Sequence, residues 1–140
     1  MGRLLAIDFG RRRCGIAVTD PACIVANPLT TVPTASLIDF VKEYVVKENV
    51  ETVVVGMPTT LHGDDSESVR YLRPVINRLA KEIAPVGVVF FDERFTSVLA
   101  HRAMIDGGMR KMARRDKATV DKISASIILN DYLESRRFKN

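Results

Sequence analysis

The chain has 140 residues, of which 46% are hydrophobic and 27% charged, and a formal net charge of +4. That length fits one domain with a core of its own, and the balance is globular rather than disordered or fibrous. No apolar run approaches the roughly 18–20 residues that a membrane span needs, and the mild basicity leans toward polyanionic partners, although solubility alone can account for it.

The first strand is predicted over Arg3–Asp8, a short buried run ending in a carboxylate. It begins almost at Met1, which leaves no room for a targeting peptide and makes the cytoplasm the expected location. Residues 9–13 form a turn, and Cys14–Thr19 a second strand, closed by Asp20-Pro21; the tight link predicts a hairpin. Cys23–Thr31 reads as a third, irregular strand. Ser36–Lys47 carries Leu37, Phe40, Val41, Tyr44 and Val45 at helical spacing, with Thr34 as candidate N-cap.

Glu51–Gly56 is a fully apolar strand of the kind buried on both faces. Residues 57–63 form a loop. Ser66–Ala84 is a second helix with Val69, Leu72, Ile76, Leu79 and Ile83 on one stripe, bent or broken at Pro74. Val86–Phe91 is another buried strand, followed by Asp92 and Glu93. Thr96 caps a helix to about Asp106, Gly107-Gly108 stops it, Met109–Lys117 is a basic loop, and Thr119–Ser135 is the final helix. The early hairpins are antiparallel and the strand–helix–strand crossovers force parallel pairing. A mixed central sheet of five strands with helices on both faces is the economical α/β solution.

Three acids stand where chemistry is done. Asp8 and the Asp92-Glu93 pair follow buried strands directly, and ligands of open α/β sheets sit at such strand ends. On a helical wheel of about 100° per residue, Asp121 projects with Ala125, Ile128 and Tyr132, opposite Lys122, Ser126 and Asn130. A charge on that apolar side requires compensation, from the helix dipole or from a cation. Hard oxygen donors of this kind suit Mg²⁺ or Mn²⁺. Taken singly, Asp8 serves equally as a turn residue, and Asp92-Glu93-Arg94 as a solvated ion pair.

Gly10 and Gly15 bracket Arg11-Arg12-Arg13, a weak phosphate-loop signal. Arg110, Lys111, Arg114, Arg115 and Lys117 form a second basic stretch, either a solvated loop or a clamp on a nucleic-acid backbone. No aromatics interleave it, so base stacking is not expected there. Cys14 and Cys23 lack metal-ligand spacing and read as reduced core or near-core thiols. His62 and His101 read as surface or loop residues, and a His/Cys zinc site is not expected.

Four segments in order resemble the YqgF family, also called RuvX, of pre-16S rRNA nucleases and Holliday-junction-resolvase-like proteins. Asp8-Phe-Gly-Arg-Arg-Arg-Cys-Gly-Ile-Ala-Val-Thr-Asp20 is similar to its opening motif, and Val53-Val-Val-Gly-Met-Pro58 to its central strand and loop. Asp92-Glu-Arg-Phe-Thr-Ser97 is similar to its Asp-Glu-Arg signature, and Val120-Asp-Lys-Ile-Ser-Ala125 to the start of its last helix. Cys14 stands where the family more often has an aliphatic residue, and Arg12 where lysine is common.

The resemblance implies a single ribonuclease H-like domain over residues 1–140. It also implies an acidic site of Asp8, Asp121 and either Glu93 or Asp92, with Glu93 the leading third ligand of Mg²⁺ or Mn²⁺. The reaction expected is metal-dependent phosphodiester hydrolysis, foremost in precursor 16S rRNA. Arg94 would neutralise the scissile phosphate or lock the carboxylates, while Arg12, Arg13 and the Arg110–Lys117 stretch would track the backbone. The expected partners are structured RNA or branched DNA and ribosomal precursor particles, with no membrane, for a monomer or homodimer. A resolvase acting on Holliday junctions and a non-catalytic RNA-binding maturation factor are the alternatives. ATP binding of the kinase type is disfavoured, because 140 residues leave no second domain to close over a nucleotide.

Overall fold

The computed structural model describes residues 2–57, 67–92 and 117–138, and their side chains apart from those at 57, 67–69, 92, 117–122 and 137–138. The strands are β1 (Arg3–Asp8), β2 (Arg13–Thr19), β3 (Ala26–Pro33), β4 (Val50–Met57) and β5 (Gly87–Asp92). They form one sheet in the order β3-β2-β1-β4-β5. β1 pairs antiparallel with β2, and β2 with β3, while β1–β4 and β4–β5 are parallel. Helix α1 (Leu37–Lys47) connects β3 to β4, α2 (Glu67–Ile83) lies between β4 and β5, and α3 (Lys117–Phe138) ends the chain. The mixed sheet expected from the order of elements is therefore present.

Period-two alternation divides the core into two layers. Leu5, Ile7, Ile16, Val53 and Val55 face α1 and α2, meeting Leu37, Val41, Leu72, Ile76 and Leu79. Leu4, Ala6, Ala17 and Val54 face the other way, against Ala125, Ile128, Leu129 and Leu133 of α3. Small residues on both sides of that second layer, Ala6, Ala17 and Ala125, let α3 lie close on the sheet. Leu4, Leu5, Ala6 and Ile7 are all 0% exposed, so β1 is buried on both faces. At its start, the Thr19 hydroxyl accepts the Leu4 N–H at 2.9 Å, and the Arg3 guanidinium donates to the Thr19 carbonyl at 3.2 Å.

Several expectations are corrected. Thr34 is not the N-cap of α1: Thr34–Ser36 form a 3-10 turn and Ser36 occupies the cap position without a side-chain cap bond. The third strand runs over Ala26–Pro33, because Asp20 holds residues 20–25 in a loop. Its carboxylate accepts the N–H groups of Ile24 and Val25 at 2.9 Å each. The helix around Pro74 continues unbroken for 17 residues. β5 is not buried on both faces. It has one neighbour among the described strands, and Phe90 is 49% exposed.

The final helix starts at Lys117, two residues before Thr119, so Lys117 belongs to the helix rather than to the basic loop. Its polar side is not free of packing: Ser126 is buried, and the Asn130 side-chain oxygen accepts the Ala26 N–H of β3 at 3.2 Å. Cys14 and Cys23 are free thiols, the first buried and the second half-buried. The helix expected from Thr96 to Asp106, the 57–63 loop beyond Met57, and His62 and His101 lie outside the described residues. Among the described residues no helix is long and apolar enough to cross a membrane.

Candidate functional site

Asp8 is the last residue of β1, opposite Gly15 of β2 and Gly56 of β4. Two glycine partners leave room above the strand end that side chains would otherwise fill. Asp8 is half-buried. It shares the parity of Leu4 and Ala6, so it stands on the sheet face that α3 covers. Asp121 belongs to the backbone of α3, four residues before buried Ala125 and seven before buried Ile128, and its side chain lies outside the described residues. The fold thus places Asp8 on the sheet face covered by α3, the helix to which Asp121 belongs. The earlier helix start makes Asp121 the fifth helical residue, and the first turn contains no acid.

Asp92 lies inside β5, paired with Met57 one step beyond the Gly56–Phe91 pair. The carboxyl ends of β1, β4 and β5 therefore share one edge of the sheet. Glu93, Arg94, Arg110, Lys111, Arg114 and Arg115 lie outside the described residues. Among the described residues no three His, Cys, Asp or Glu side chains gather as a metal site; of the expected ligands, Asp8 alone has a described side chain.

The turn after Asp8 is held from two sides. On one, Thr34 grips its backbone: the Thr34 hydroxyl donates to the Gly10 carbonyl at 2.6 Å and the Thr34 N–H to the Arg12 carbonyl at 2.9 Å. The Cys14 thiol lies 3.5 Å from the same hydroxyl and 3.8 Å from the Gly10 carbonyl. On the other, Tyr71 of α2 receives two residues of the turn. The Arg11 guanidinium lies 5.5 Å above its ring centroid, and the Phe9 ring 6.1 Å away at 47°. Gly10 is required, because a β-carbon there would collide with the Arg13 carbonyl oxygen.

Arg12 and Arg13 close the turn that follows Asp8, Arg12 exposed and Arg13 half-buried. Neither Thr34 nor Tyr71 was expected here from the sequence. Thr34 looked like a helix cap, and Tyr71 lies off the apolar stripe of its helix. An aromatic in that position is itself a usable signal.

The family model for RuvX, described as Holliday junction resolvase, matches residues 2–135. A curated protein of Phocaeicola vulgatus named "Putative pre-16S rRNA nuclease" is 54% identical over 138 residues, 99% of each chain. A protein of the same name from Porphyromonas gingivalis is 50% identical over 135 residues, covering 96% of this chain and 98% of its own. Among solved structures, Thermus thermophilus RuvC in complex with Holliday junction substrate matches with a TM-score of 0.59 at 14% identity over 96% of each chain. The yeast mitochondrial Holliday junction resolvase matches at 0.51 and 12% identity, over 94% of this chain and 78% of its own. At these identities the structural likeness concerns the fold, which is ribonuclease H-like. With a family match spanning nearly every residue and relatives at half identity over their whole length, the chain belongs to the RuvX family.

Proposed function

We propose that this chain is a divalent-metal-dependent nuclease that hydrolyses phosphodiester bonds of precursor 16S rRNA, as a single cytoplasmic domain over residues 1–140. One observation carries the reading. A half-buried carboxylate, Asp8, ends the central strand on the face covered by α3 and is followed at once by a clamped arginine turn. The half-identical relative named as a pre-16S rRNA nuclease supports the choice of substrate.

Asp8, Asp121 and Glu93 are the residues that would hold the ion. An all-carboxylate set is a hard-oxygen donor set and fits Mg²⁺ or Mn²⁺. Glu93 is the leading third ligand and Asp92 the alternative. When bound, the ion supplies Lewis acidity at the scissile phosphate. The remaining work belongs to the chain. Arg12, Arg13 and Arg94 would hold phosphate oxygens through paired N–H donors, and Arg110, Lys111, Arg114, Arg115 and Lys117 would follow the backbone.

The family description favours one second reading, a resolvase that cuts branched DNA as a two-fold dimer. A single comparison separates the two: cleavage of a precursor 16S rRNA fragment, a linear duplex and a four-way junction, each with Mg²⁺ or Mn²⁺. The expected result is RNA cleavage that drops by on the order of 100-fold or more in Asp8→Asn, since even outer-shell partners of a metal cost 10- to 100-fold. Undiminished cleavage by folded Asp8→Asn would sink the proposed site. Preferential cutting of the junction selects the resolvase, and no cleavage of any substrate leaves an RNA-binding maturation factor.

A further inference from the structure

The basic turn beside Asp8 has an aromatic neighbour supplied by a different element. Tyr71 on α2 is 45% exposed, although Phe9 and Arg11 both lean on it. Tyrosine packed against the core would instead be mostly covered, as Phe9 is at 7% exposure. Tyr71 is off the stripe of Leu72, Ile76 and Leu79 that holds α2 to the sheet, so folding does not require a ring there. The local charge is positive. Arg11 and Arg12 are exposed on the turn, and Arg70, next to Tyr71 on α2, is exposed as well. An exposed aromatic ring with a guanidinium over it, supplied by the arginine turn that follows Asp8, is an arrangement that accepts an unpaired base.

We propose that Tyr71 and Arg11 form a stacking platform for one unpaired nucleobase of the single strand that runs past Asp8. The phosphates on either side of that base meet Arg12 and Arg13. Every base has a π-face, so the platform tolerates sequence and selects against paired strands, whose bases are already stacked. It gives the nuclease reading a preference for unpaired segments at the cleaved bond, and it rests on that reading only for the identity of the substrate.

The test measures binding rather than cleavage, so that a failure of the nuclease reading leaves it intact. The full chain is titrated, without added metal, with a short single-stranded RNA carrying 2-aminopurine at successive positions, and with the DNA of the same sequence. The expected result is quenching on binding that is kept in Tyr71→Phe and lost in Tyr71→Leu. Affinity should fall by roughly 5- to 150-fold in Tyr71→Leu, the range for loss of one base stack. A strand of the same length made wholly of abasic nucleotides should bind wild type more weakly by a similar factor and cost Tyr71→Leu nothing further.

The abasic strand on the wild-type protein needs no variant and so guards against a misfolded Tyr71→Leu. An all-abasic strand that binds as tightly as the strand with bases overturns the proposal, as does quenching retained in Tyr71→Leu, a Tyr71→Leu protein that binds as wild type, or no binding to either single strand. The RNA and DNA arms decide which strand the platform serves.

Discussion

Thr34→Val removes one hydroxyl from the clamp on the turn that follows Asp8 and keeps the branched shape of the side chain. Thr34 is 8% exposed, and its hydroxyl is the 2.6 Å donor to the Gly10 carbonyl. Without it that carbonyl retains the Cys14 thiol at 3.8 Å, a weak and long donor. Leaving a buried acceptor short of its partner costs about 1–3 kcal/mol, and the Gly10 carbonyl belongs to a half-buried residue. The Thr34 N–H still holds the Arg12 carbonyl at 2.9 Å, so the lower half, about 1–2 kcal/mol, is expected. For a two-state domain of this size that is a fall in Tm on the order of 5 °C. The assay is urea denaturation followed by circular dichroism, with the midpoint shifting and the slope unchanged. Thr34→Ser keeps the donor and loses a methyl group, a cost of about 0.8 kcal/mol. A Thr34→Val protein within about 0.3 kcal/mol of wild type refutes the claim that this hydroxyl fixes the turn.

Two further substitutions probe the same frame. Gly10→Ala drives a β-carbon into the Arg13 carbonyl oxygen; overpacking of about 1–3 kcal/mol should outweigh the entropy gained by losing a glycine, about 0.4–1 kcal/mol. An unchanged or raised urea midpoint would show that the turn yields freely. Asp20 accepts N–H bonds from Val25, Ile24 and Ala22, and these, Val25 foremost, hold its carboxyl below its ordinary value of 3.8 against an opposing desolvation. A depressed folded pKa means that the contribution is complete above the unfolded pKa and is lost as pH falls through the folded one. The Tm difference between wild type and Asp20→Ala should therefore be constant above about pH 5 and close as the pH drops below about 4. A difference independent of pH down to about 2.5 would exclude the carboxylate bonds as its source.

The two residues whose roles were misread show where a linear reading fails. Thr34 sits one residue past a proline and just ahead of an apolar helical period, which is where a cap belongs. It is instead claimed by a turn 24 positions earlier, a competition between local and distant acceptors that local spacing does not register. Ser126 was assigned to the polar side of α3 for the same reason. β3 extends the sheet beyond β2, and Asn130 bonds to it, so the helix is covered on more than one side.

What the sequence determined by itself is the part governed by period and by strand ends. The continuous apolar runs Leu4–Ile7 and Val53–Val55 and the helical spacing in α1 and α2 follow from burial of both faces of a central strand and of one side of a helix, and an acid closes β1. Motifs spread along the chain carried the family. Tertiary structure alone decided the register that sets Asp8 between two glycines and the face it shares with α3. It also decided the meeting of Arg11 with Tyr71 across 60 residues. Those depend on which strands pair and how helices lie on them, and pairing energies between distant segments leave no local period to read.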